Sequence, residues 1–123
     1  MYRTTFLFLI FIVSCNSIPE RNCTDFRTGT FQFTTTIEGS EQTTTFVRKP
    51  TIEIEEFKGK KDTASIRWIN DCEYVLKKVS PQNRAEEKSI HIKILTTSDS
   101  SYTFEYNAIG DKRKFKGEAV KIH

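Results

Sequence analysis

Histidine, methionine and tryptophan are almost missing from this chain, and cysteine, proline and glycine are sparse: its 123 residues include 2 His, 1 Met, 1 Trp, 3 Cys, 3 Pro and 5 Gly. The histidines, His91 and His123, form no His-x-x-x-His pair, and no Cys-x-x-Cys occurs, so a zinc-type site has no ligand set. The acidic groups Glu53, Glu55, Glu56 and Glu86, Glu87 lack the patterned loop that calcium demands. Gly29, Gly39, Gly59, Gly110 and Gly117 are scattered, which leaves no loop to cradle a phosphate, and no Gly-x-Ser-x-Gly elbow is present. No metal and no cofactor is implied, and the expectation is a protein that is not an enzyme.

An excess of one charge is missing too. Lys and Arg number 19 against 16 Asp and Glu, a formal charge of +3, and the two signs are interspersed, so no basic face for nucleic acid is expected. The densest basic run is Asp111-Lys112-Arg113-Lys114-Phe115-Lys116. On a strand its lysines would guard an exposed sheet edge, and the functional alternative for Lys112, Arg113, Lys114 and Lys116 is contact with anionic lipid headgroups or polysaccharide.

Long apolar runs are confined to the start. Arg3 precedes Phe6-Leu7-Phe8-Leu9-Ile10-Phe11-Ile12-Val13, whose length suits a secretory leader and falls well short of the ~20 residues that span a bilayer as a helix. The run ends in Ile12-Val13-Ser14-Cys15, which resembles the bacterial lipobox. That resemblance implies cleavage before Cys15 and acylation of its sulfur and its new amino group, several chains together giving a stable membrane anchor. Residues 1–14 are then a lipoprotein signal peptide, 15–23 the lipidated Cys15 with a short polar tether, and 24–123 a single β domain. The location implied is the bacterial cell envelope, facing periplasm or cell surface, with the outer membrane favoured because Asn16 is not the Asp that retains some lipoproteins at the inner membrane.

What the chain has in quantity is aromatic alternation: 10 Phe and 4 Tyr, many at every second position, the period of a strand. Phe31, Phe33, Thr35 and Ile37 share a face; a turn at Glu38-Gly39-Ser40-Glu41 follows, and Thr43 to Val47 runs back, with the Thr34 and Thr43 triplets facing each other. Ile52 and Ile54 begin a strand after Pro50. Ala64, Ile66 and Trp68 alternate before Cys72, Tyr74 and Leu76, and a three-residue loop Ile69-Asn70-Asp71 would set Trp68 opposite Cys72 and Ile66 opposite Tyr74. Ser80 and Pro81 read as the N-cap and first residue of one short helical turn. Ile90, Ile92 and Ile94, then Tyr102, Phe104 and Tyr106, then Phe115 to Ile122 complete about eight antiparallel strands. Tight turns predict an all-β up-and-down meander, which buries its edges by curling into a small barrel or a strongly curved sheet.

With Cys15 taken by lipid, Cys23 and Cys72 remain as an even pair in a compartment where disulfides persist. Bonded, they would restrict the unfolded chain by ~4 kcal/mol; the alternative is a buried free thiol at Cys72 with Cys23 loose in the tether. At "NCTDFRTGTF" (22–31), "SIRWINDCEY" (65–74), "AEEKSIHIKILTT" (85–97) and "SYTFEY" (101–106) the chain resembles a family of small bacterial lipoproteins of unknown function, some of which bear the name DNA topoisomerase IV. That name is a transferred one, because the mature chain has neither the Arg-Tyr pair and Asp-x-Asp motif of a breakage-reunion subunit nor the glycine-rich nucleotide loops of its ATPase partner. The functional expectation is a lipid-anchored binding module of unknown ligand, with an envelope inhibitor of a lysozyme or protease as the alternative.

Overall fold

The computed structural model describes residues 21–123; the leader 1–14 and Cys15 lie outside them. Eight strands follow one another round a closed antiparallel barrel: β1 (Gly29–Ile37), β2 (Ser40–Arg48), β3 (Ile52–Phe57), β4 (Lys60–Asn70), β5 (Glu73–Lys78), β6 (Ile90–Thr97), β7 (Ser101–Ala108) and β8 (Phe115–Lys121). Closure is made by β1 and β8, with Phe31 opposite Lys121 and Phe33 opposite Ala119. The ring abolishes the open edges that a meander of this length would carry.

Alternation fixes which side chains point inward. Phe31, Ile66, Tyr74, Ile92, Ile94, Tyr102 and Phe104 are buried inside the ring, while their neighbours in sequence point outward, Val75 alone among them being buried as well. Room for so many large rings comes from β8, whose inward positions are Gly117 and Ala119. A β-carbon on Gly117 would stand 2.5 Å from the Phe33 ring and 2.8 Å from Phe104. Gly29 marks another close approach, with φ 136° beside Lys121 and the His123 carbonyl.

Three local expectations are corrected. The β4–β5 hairpin pairs Ile66 with Leu76 and Trp68 with Tyr74, not Ile66 with Tyr74 and Trp68 with Cys72, because a bulge lies between Trp68 and Asn70 and the turn falls at Asp71–Cys72. Asn70 Oδ1 accepts from the Cys72 backbone N–H at 2.9 Å, fixing that turn; the shift of two residues keeps the apolar face inward. The one turn of α-helix, α1 (Arg84–Glu87), is capped by Asn83, whose side chain accepts from the Glu86 N–H, rather than by Ser80. Of the threonine triplets only Thr34 and Thr43 stand opposite as a pair, with hydroxyls 3.2 Å apart, and Thr44 lies opposite Phe33 and is buried.

One end of the barrel is plugged. A 3-10 turn, Cys23–Phe26, tucks Cys23 and Phe26 into the ring at 2% and 1% exposure, and the Phe26 ring meets Tyr102 edge-on at 5.2 Å. Cys23 is disulfide-bonded to Cys72. Residues 21 and 22, from the stretch read as tether, reach the same end: Arg21 donates to the Ile94 carbonyl and the Asn22 N–H to Thr97 Oγ1.

Candidate functional site

The side chains that define the interior are two charges that the apolar alternation gives no reason to bury. Arg48 closes β2 on the same face as Thr44 and Phe46, and its side chain is 0% exposed. Glu53 stands opposite it on β3. Arg48 Nε donates to Glu53 Oε1 at 3.0 Å, Nη1 to the Phe26 carbonyl at 2.7 Å, and Nη2 to the hydroxyls of Tyr74 at 2.7 Å and Tyr102 at 2.9 Å. The guanidinium also lies over the Tyr74 and Phe31 rings, 4.7 Å and 4.8 Å from their centroids. A buried cation is tolerated only when paired and hydrogen-bonded in this way.

Protonation follows from the surroundings. Burial works against the charge of Arg48, and Tyr74, Tyr102 and Glu53 outweigh it, so its pKa lies above the ordinary arginine value. Burial pushes the Glu53 carboxyl up, and Arg48 opposes only part of that. Tyr74 is raised well above a free phenol, first by burial and then by Tyr102, and Tyr102 is raised by burial. Both phenols therefore stay protonated at neutral pH.

Above this floor the other end of the barrel is open. A cavity of about 250 Å³ is walled by Phe33, Phe46, Leu76, Ile92, Phe104 and Tyr106, with Thr44 and Glu55 on its sides and Arg48 and Glu53 at its base. A neighbouring cavity of about 260 Å³ shares Glu53, Glu55, Leu76 and Ile90 with it and runs beneath α1 to Ala85, Glu86 and Lys88. At the mouth Lys78 Nζ is held between Asp62 at 2.8 Å and Glu86 at 2.7 Å. Concave, aromatic-walled volumes with a few convergent polar groups are the common form of small-molecule sites.

The residues singled out in the sequence fall elsewhere. Cys23 and Cys72 come together at the plugged end. Lys112, Arg113 and Lys114 sit in the exposed β7–β8 connection and Lys116 on the outer face of β8, so they guard no sheet edge. Two of them are paired, Arg113 with Asp111 at 2.7 Å and Lys114 with Glu105 at 3.4 Å. His91 is outward and half-buried, bonded to Glu73 at 3.0 Å. Among the described residues no group of three or more His, Cys, Asp or Glu is placed to hold a metal, and no helix is long and apolar enough to cross a membrane.

Arg48, Glu53, Tyr74 and Tyr102 carry the site, and no sequence motif flags them. The available signal was an arginine in phase with Thr44 and Phe46. Compared with family models, with curated proteins and with solved structures, the chain finds no match.

Proposed function

We propose that this chain is a lipid-anchored cell-envelope protein that performs no catalysis and holds a small apolar ligand in the open half of its barrel. The observation that carries the reading is the aromatic-walled cavity, open to solvent at one end and stopped at the other by the Arg48 cluster. Arg48, whose guanidinium already donates to Glu53, Phe26, Tyr74 and Tyr102, contributes shape and rigidity to that floor. The lipobox at Cys15 supports the anchor, as does the resemblance to small bacterial lipoproteins; neither the leader nor the cavity suits a DNA enzyme.

N-phenyl-1-naphthylamine, uncharged at neutral pH and bright only in apolar surroundings, serves as the probe. Saturable brightening with one probe per chain is expected, and Ile90→Trp, which fills the shared wall of the two cavities, should abolish it while near-ultraviolet circular dichroism shows the fold retained. Wild-type protein that gives no saturable signal ends the reading. Radiolabelled palmitate should enter the wild type and not Cys15→Ser.

A further inference from the structure

Strand β3 is threaded against its own hydrophobic pattern. Ile52 and Ile54 would make the natural inward face, yet β2 pairs with β3 so that Arg48 meets Glu53 and Phe46 meets Glu55, which turns both carboxylates to the cavity side, Glu53 buried and Glu55 exposed, and both isoleucines outward. A one-residue slip would bury the isoleucines, so the observed register sets two anions, one above the other, on one wall of an aromatic cavity.

Those anions are under-compensated. Glu53 is 7% exposed; its Oε1 is bonded to Arg48, and its other oxygen has no partner among the described residues while the side chain lines both cavities. Glu55 lines both cavities as well, and the nearby Lys78 is already shared between Asp62 and Glu86. Burial raises the pKa of each carboxyl despite Arg48 and Lys78, as expected where cationic partners are too few. Arg48 is poorly placed to receive an anionic ligand, because four of the five N–H groups of its guanidinium are directed to Glu53, Phe26, Tyr74 and Tyr102 and its side chain is fully buried.

We infer that the ligand is an organic amine: a compact aromatic or alkyl body seated against Phe33, Phe46, Phe104 and Tyr106, carrying an ammonium group that bonds the free oxygen of Glu53 and pairs with Glu55. The rings favour a cation at their faces, and the carboxylates supply the charge that a neutral apolar pocket would lack. This rests on the cavity being a ligand site, as proposed above, and adds the sign of the ligand's charge.

Three probes that share one ring system separate the two ideas: 2-(1-naphthyl)ethylamine, 2-(1-naphthyl)ethanol and 1-naphthaleneacetate, each titrated calorimetrically into the intact domain at neutral pH. The amine should bind about tenfold or more tightly than the alcohol, the worth of one charge-assisted hydrogen bond, and the carboxylate more weakly than either. Glu55→Gln, which leaves the Arg48–Glu53 pair intact, should erase much of the amine's advantage over the alcohol. Glu53→Gln should erase more, with near-ultraviolet circular dichroism checking that the barrel persists. Equal affinities for amine and alcohol, or a preference for the carboxylate, overturn the amine assignment and leave the cavity reading standing. Failure of all three probes to bind overturns both.

Discussion

Arg48 is the residue on which the interior turns, since it joins the plug, β2, β3, β5 and β7 through one guanidinium. Removing it strands a buried Glu53, so Arg48→Met should cost about 3–5 kcal/mol in urea unfolding, and Arg48→Met combined with Glu53→Leu should cost less than Arg48→Met alone, because two well-packed apolar groups leave no orphaned charge. The tyrosines give a test by pH. Tyr74 and Tyr102 have folded pKa values above the ordinary 10.0, so the native state keeps protons that the unfolded chain would release. Their contribution to stability is full below pH 10.0 and is lost as pH rises through the folded values. In an alkaline titration the phenolate absorbance of these two should appear together with the loss of near-ultraviolet circular dichroism; phenolate growth ahead of that loss would refute their burial. Little of this was legible in the sequence. Alternation divides a strand into two faces but does not say which is inside, and Glu53 between Ile52 and Ile54 reads as the outward one until its partner across the sheet is known.

Among the elements, the β4–β5 hairpin shows the same division between what local pattern settles and what distant contacts settle. The apolar identity of the Ile66, Trp68, Tyr74 and Leu76 face is legible in the sequence; the two-residue shift in pairing is not, because slips by an even number keep that face and leave the choice to the turn. Here the Asn70 side chain and the bulge make the choice, and they bring Cys72 to the tip, where it meets Cys23. The bond therefore clamps the hairpin tip onto the plug. Replacing both residues, Cys23→Ser with Cys72→Ser, should lower unfolding free energy by about 2–5 kcal/mol in a denaturant titration. Because the cavity lies toward the other end, probe uptake by whatever fraction stays folded should be unchanged. The connection that holds the helical turn is legible in the sequence and its cap is not, as Ser80 and Asn83 are both good N-cap residues and Asn83 is the one whose side chain accepts from the Glu86 N–H.

At the scale of the whole molecule, the barrel itself was the most legible feature. Eight alternating segments with tight turns between them have few ways to hide their edges, and closure between β1 and β8 is the one adopted here. How full the interior is was not legible, since it depends on where rings stack across the ring of strands and on small residues such as Gly117 that make room for them. The result is a vessel with a base and a mouth. The chain comes in at the base: Arg21 and Asn22 are bound to Ile94 and Thr97, whereas Leu76, Ile90 and Tyr106 lie toward the opposite rim. An acyl anchor of the kind proposed for Cys15 would thus join the cup at its foot, the end opposite its mouth.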